Sequence, residues 1–517
     1  MPKFLHIINP LAILLLFTVA CQSSILTPPR LATATAQSQA QPMAPTEPLI
    51  SLAPTPTAVL TPETSSGVTT AIQSTLTVWV NETSAEHEQA LNTMMAEFSQ
   101  QHDIDVELQL VSPMLLPELM QTAVVSPQFE IPDIVIHPIE QTMGWVAQGT
   151  LDLDLTNEII DEIGRDTFDP DALDLMDVNG RTAAVPLHGY QQLLIYRADW
   201  FAGRNLAPPL TYTDMFTAAF NFFDREQFTS GFVVPTESNL VTTHQGFEHM
   251  AIANGCQLVN EQGEVLILDQ ACRDALNFYY DIIHNYSPTG VQTESSARTA
   301  YLAGRTGFIM LTPSILPQLA GLDSITRPTC AECTSNPAYL AENSGFITHI
   351  TGDGPEAISA NFGNITAMGI TRGADRETAV AFAEYWFNEG YNTWLAVESE
   401  RKVPMRWGTA DQPRQFIDDW GIIPLDDSGT SLTDIYGPEI VTRLRDGIAT
   451  SPRWGYRQGH GALMSRLYES LSLSIVLQEM LSGYFNTNKT IFEANVRIIE
   501  LIPNYAFEIE PTPTPEN

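Results

Sequence analysis

The chain is 517 residues long and carries 24 basic against 61 acidic residues, a net charge of −37 at neutral pH. That length holds more than one domain and a core of ordinary size, and the charge argues against nucleic acid or an anionic membrane surface as a partner. Charged residues make up only 16% of the composition, so uncharged polar side chains supply much of the surface. Inspection shows neither internal repeats nor coiled-coil heptads.

Residues 1–20 read as a targeting segment. Lys3 is a sparse positive region, and Leu11 to Val19 is an apolar run too short to span a bilayer. It ends in Thr18-Val19-Ala20-Cys21, which resembles a bacterial lipoprotein signal and implies lipidation of Cys21. A plain signal peptide that leaves Cys21 as an incidental thiol is the alternative. From 21 to 74, Thr, Pro, Ser and Ala dominate and aromatic residues are absent. Such a stretch cannot bury enough apolar surface to fold, so it reads as a disordered tether. Residues 506–517 read as a short tail of the same kind.

The folded body opens at Thr75 with LTVWV, continues with an amphipathic stretch through Gln101, and returns to a strand at DIDVELQLV. Thr83 and Glu86 have the spacing of a capping box, and Leu91, Met94, Met95 and Phe98 fall on one helical face. The loop Asn81-Glu82-Thr83-Ser84 then lies at a strand's carboxyl end, where open α/β sheets bind small ligands. A short helix follows over Leu115 to Val125. Pro132 to Ile136 is a run of β-formers expected of a buried parallel strand, and it leads into the polar loop His137 to Glu140. Leu151 to Leu155 alternates apolar and acidic residues and reads as a short amphipathic edge segment. After an extended crossing at Val185 to Tyr196, helices are expected over Thr213–Phe223, His244–Asn254 and Cys272–Asn285. Strands are expected within Gly304–Leu311 and at Ile365–Thr371, and further helices at Thr378–Phe387, Ser472–Leu481 and Ile491–Ile502.

The catalytic inventory is negative. His87-Glu88 begins an HExxH-like pattern, but Leu91 stands where the second histidine is needed. There is no GxSxG, no phosphate-binding P-loop and no GxGxxG after the first strand. Carboxylate pairs such as Asp152/Asp154 are expected by chance among 61 acidic residues. Neither an enzyme, a cofactor nor a metal is expected. Cys256, Cys272, Cys330 and Cys333 are an even set in an exported chain, which favours two disulfides with local pairing over a zinc site, because no histidine is spaced to join the one CxxC.

The order of the pieces resembles the extracellular solute-binding proteins of bacterial ABC importers, of the maltose-binding type. LTVWVNE, IPDIVI with AQGTLDLDLT, RTAAVPLHGYQQLLIYRADWF, PPLTYTDMFTAA, AYLAGRTGFIM and ETAVAFAEYWFNE followed by VPMR carry the resemblance from Leu76 to Ile502. It implies an α/β, two-lobed periplasmic-binding-protein fold of type II with a hinge and an interlobe cleft. Lobe 1 would comprise 75–187 and 360–406, and lobe 2 would comprise 188–359 and 407–505. Carried onto this sequence, ligand contacts fall to Asn81, Glu82, Thr83, His137, Glu140, Tyr190, Ser314, Asn364 and Trp454. Carboxylates and amides suit sugar hydroxyls, and an aromatic ring suits a sugar face. Thr83 and Ser84 equally suit helix capping, Glu140 suits a helix's first turn, and Tyr190 suits packing at the hinge. Trp454 is the strongest single candidate, because its loop offers little packing.

The function implied is capture of a small polar solute, a sugar or oligosaccharide favoured, for an ABC permease, by a protein held outside the membrane by lipidated Cys21. No tryptophan stands at Thr312-Pro313-Ser314, so a peptide-like or amine solute stays open. A receptor module feeding a membrane sensor is the first alternative, and a surface hydrolase is the second.

Overall fold

The structure is a computed structural model that describes residues 75–126 and 128–503. The targeting segment, Cys21, the tether and the tail lie outside the described residues. In chain order the strands are β1 (Thr75–Val80), β2 (Asp105–Leu110), β3 (Ile134–Pro138), β4 (Val185–Gln191), β5 (Leu193–Arg197), β6 (Ser230–Val233), β7 (Thr306–Leu311), β8 (Ser344–Ile347), β9 (Ile350–Thr351), β10 (Ser359–Ala360), β11 (Gly363–Ile370) and β12 (Val403–Pro404).

Two main sheets result. The first has the order β12-β4-β11-β3-β1-β2. Its β1 pairs in parallel with β2 and β3, while β11 and β12 pair antiparallel. In β1, Leu76, Val78 and Val80 are buried and Thr77 and Trp79 are half-buried, so alternation sets which face meets the core. The helix Ala85–His102 covers that face with Leu91, Met94, Met95 and Phe98. The second sheet has the order β6-β7-β5-β8. Every residue of β7 is buried, as expected for a strand covered on both faces. Helix Tyr212–Phe222 lies so close to β6 that a Cβ at Gly231 would fall 2.2 Å from the Ala219 carbonyl oxygen, which explains the glycine.

The chain passes from the first sheet to the second across Gln192 alone, returns between β10 and β11, and leaves again after β12. The expected crossing near Leu187 therefore falls a few residues later, because β4 runs on to Gln191. Disulfides join Cys256 to Cys272 and Cys330 to Cys333.

Two local readings change. Ser84, not Thr83, caps the first helix, its oxygen accepting the His87 amide. A helix that starts at Ala85 puts its N-cap one residue later than the Thr83–Glu86 spacing implied. Of the edge segment Leu151 to Leu155, only Leu151 bridges a neighbouring strand, at Thr371, and the rest opens a helix. Asp152 accepts the Asp154 and Leu155 amides and caps a helix, Leu153–Ile163, whose buried stripe includes Leu155, Ile159, Ile160 and Ile163. The period-two pattern was short, and the cap with its longer 3.6-residue stripe outweighs it.

Candidate functional site

The carboxyl ends of β1 and β3 place two loops at one edge of the first sheet. In the first, Asn81 is buried and its Oδ1 meets no partner. Thr83 points to solvent. Glu82 accepts a 2.7 Å bond from Arg401, which also bonds Glu398. Behind them Ser84 Oγ lies 2.7 Å from His87 Nδ1, and the opposite ring nitrogen lies 2.9 Å from Lys402 Nζ. Lys402 is fully buried, 3.6 Å from the Trp394 ring centroid. Burial, then the Lys402 charge, pushes the His87 pKa down to about 3, so the ring is a neutral acceptor for the lysine. Glu82, His87 and Glu398 are near enough to one another to suggest a cation site. The Arg401 guanidinium bonds both carboxylates and Lys402 holds the imidazole, so the charges a metal would need are already matched. The first loop is tied to the segment entering β12.

The second loop leads into a buried seam between the two sheet systems. Glu140 opens the helix Ile139–Ala147, and its Oε1 accepts from Gln245 at 3.0 Å and from Arg453 at 3.2 Å. Arg453 also bonds Glu248 at 3.0 Å and the Gly363 carbonyl at 3.0 Å, and stacks 4.2 Å from the Phe362 ring centroid. Tyr468 donates to Glu248 at 2.6 Å, and His244 stacks on Tyr468 at 3.8 Å. Burial opposes the charge on Glu248, but Arg453 beside it wins and holds its pKa below the usual value. Burial keeps His244 neutral, with a pKa of about 4. Helix Gly461–Glu469 seals the seam: the Gly144 amide donates to Ser465 Oγ at 2.8 Å, and a Cβ on Gly144 would sit 2.7 Å from that of Ser465.

The helices that Glu140 and Gln245 join across the seam carry several buried polar atoms without a hydrogen-bond partner. They include Glu140 Oε2, Gln141 Oε1 and Thr142 Oγ1 on one helix, and Thr242 Oγ1 with both His244 nitrogens on the helix Val241–Ala253, although His244 Nε2 lies 3.5 Å from Glu248 Oε2. Buried polar atoms without partners are rare because each costs desolvation, so such an atom beside the seam, Glu140 Oε2, marks a place where a polar ligand or water is held. The set mixes carboxylate and amide acceptors with hydroxyls and an imidazole, which suits a ligand rich in hydroxyl groups.

The remaining expected residues divide. Tyr190 and Asn364 face each other on paired strands with 3.4 Å between Asn364 Nδ2 and the phenol oxygen. Burial and the nearby Glu140 charge push the Tyr190 pKa up to about 12, so it is a neutral hydrogen-bonding group. Ser314 accepts from Arg298 at 3.0 Å, and its turn lies against Ser399–Arg401. His137 is buried under Trp145, and its Nδ1 lies 3.0 Å from the Pro138 carbonyl oxygen. Trp454 is a correction. It is 3% exposed, and its indole donates to the Cys256 carbonyl at 2.8 Å. Its loop folds inward onto Phe247 and Glu248, so the ring belongs to the second core and not to an open face.

Arg453, Glu248, Gln245, His244, Tyr468 and Arg401 were not among the residues read from the sequence. A weak signal existed: residues 244–249 hold two histidines, a glutamine and a glutamate, and Arg453 is one of only 24 basic residues.

The profile of the bacterial extracellular solute-binding protein family matches residues 93–421. The chain belongs to that family. No curated protein matches it significantly. Among solved structures, a solute-binding protein from Thermotoga lettingae bound to alpha-D-tagatose is 18% identical, with a TM-score of 0.63 over 83% of this chain and 100% of that one. A maltose-bound protein of T. maritima is also 18% identical, with a TM-score of 0.62 over 83% of this chain and all of that one. The GacH receptor of Streptomyces glaucescens, solved unliganded and with acarbose, is 14% identical, with a TM-score of 0.63 over 84% of this chain and 100% of that one. At such identities the likeness establishes the fold: two α/β lobes joined by a hinge.

Proposed function

We propose that this protein captures a sugar or oligosaccharide between its lobes outside the cell membrane and delivers it to an ABC permease, tethered by a lipidated Cys21 and its Thr/Pro-rich linker. Lobe 1 is then built on 75–187 and 360–406, and lobe 2 on 188–359 and 407–505. The observation that carries the reading is the buried seam, where Glu140 meets Gln245 and Arg453 while its Oε2 has no hydrogen-bond partner. The sugars bound by the structural neighbours support the same class. Opening about the β4–β5, β10–β11 and β12 crossings would admit the solute. Its hydroxyls would then stabilise closure through contacts made to both lobes at once, with no chemical step.

A thermal-shift screen against mono- and oligosaccharides, amino acids and polyamines tests this. A sugar at about 100 times its dissociation constant should add about 2.7 kcal/mol of stability. Glu140→Ala should remove most of that shift. If only amines or amino acids shift the melting point, the solute class is wrong. If sugars shift it and Glu140→Ala does not matter, the seam is not where they bind.

A further inference from the structure

At the amino-terminal ends of β6 and β7 lies a groove of about 950 Å³ that shares no lining residue with the seam. That volume is in the range of small-molecule sites. Its apolar wall is made by Phe223, Phe228, Ala300 and Ala303, and Arg225 and Arg305 stand at its mouth. Phe228 is 80% exposed and holds a left-handed backbone conformation with φ of 55°. A bulky residue rarely adopts that conformation, and the turn before it is held by the Asp224 side chain, which accepts the Glu226 and Gln227 amides. The aromatic surface continues beyond the groove: Phe216, Phe220 and Phe223 each contact Tyr286 edge-on, with Phe220 64% exposed. Contiguous exposed aromatic surface of this kind marks an interaction site.

The charges at the mouth say what kind. Among the described residues Arg225 meets only the Phe223 ring, and the Arg305 side chain donates only to the Gln227 carbonyl. Neither has a carboxylate partner among the described residues, in a chain whose net charge is −37. Asp224, the only carboxylate lining the groove, is already bonded by the two amides of its own turn. We propose that this groove is a second binding site, separate from the solute cleft, for an anionic amphiphile: an alkyl chain against Phe223, Phe228 and Ala300, with its carboxylate or phosphate on Arg225 and Arg305. A free amphiphile is favoured over an anionic membrane surface, because the chain's overall charge repels an extended negative surface while two local arginines still hold a single head group.

The test uses the full chain from residue 21 with Cys21→Ser, which removes any acyl group of its own. Isothermal titration with decanoate should show single-site binding, and decanol should bind about tenfold more weakly, since a charge-assisted bond to arginine is worth at least that factor. Ala300→Trp fills the groove and should abolish binding. The double variant R225Q/R305Q should bind decanoate no better than decanol. Both variants should melt normally and keep any sugar-induced shift, because neither position touches the seam. The proposal is overturned if decanoate gives no binding heat, if Ala300→Trp leaves its affinity unchanged, or if the chain floats with phosphatidylglycerol vesicles but ignores free decanoate.

Discussion

Arg453→Met is expected to lower the free energy of unfolding by about 3–5 kcal/mol, the usual cost of removing one partner from a buried ion pair. The arginine is 1% exposed and its partners Glu248 and Glu140 are 1% and 2% exposed. Removing the guanidinium leaves two carboxylates in a low-dielectric seam and also frees the Gly363 carbonyl. Urea unfolding at pH 7 checks this through the midpoint, with the slope unchanged. Glu140→Gln and Glu248→Gln added to Arg453→Met should recover part of the loss, because neutral amides are cheaper to bury than unpaired charges. A loss below about 1 kcal/mol for the single variant would mean that the carboxylates are hydrated in solution and the seam stands open.

The second large effect is acid sensitivity. Burial lowers the pKa of His137, His244 and His249 to about 4 and that of His87 to about 3. His188 is pushed down by burial and then by Lys402. Each ring is neutral when folded but takes a proton near pH 6.5 when unfolded. Its contribution is therefore complete above about pH 6.5 and is lost as pH falls through the folded value. At pH 5 that amounts to about 2 kcal/mol per histidine, or about 8 kcal/mol for the four with stated values. Glu400 and Glu469 act in the opposite sense. Burial raises both to about 7, so their contribution is complete below about pH 4.5 and is lost as pH rises through 7. Between pH 7 and pH 5 they return about 4 kcal/mol together, leaving a net loss of about 4 kcal/mol. The melting temperature should therefore drop steeply below about pH 6. A flat profile from pH 7 to 5 would show that these imidazoles are accessible to protons without unfolding.

The seam also bears on how closure works. With Glu140, Gln245 and Arg453 bonded across it and Gly144 seated on Ser465, the lobes meet through their own side chains. A solute that enters must offer contacts at least as good as those it displaces. If the solute binds at the seam as proposed, hydroxyl groups that reach Glu140 Oε2 would add bonds without breaking the ion pairs, which would favour a neutral polyhydroxylated solute over a charged one.

Much of the fold follows from local pattern. Alternation in β1, continuous apolar runs in β3 and the stripe Leu91, Met94, Met95, Phe98 are short-range signals, and each places its own backbone segment. The first loop and the start of the second were found this way, because a strand that runs into a helix declares its own end. The centre of the seam was not legible. Arg453 lies 205 positions from Glu248 and 313 from Glu140, and no periodicity records which charge will meet which. Trp454 shows the same limit from the other side: its local sequence reads as a loop, and only the packing of Phe247 and the Cys256 carbonyl makes it core. The residues by themselves determined many of the strands and helices and their α/β alternation, and the resemblance to the solute-binding family implied the two lobes. The packing of helices from distant parts of the chain decided which polar groups were stripped of water together, and that selection produced the seam.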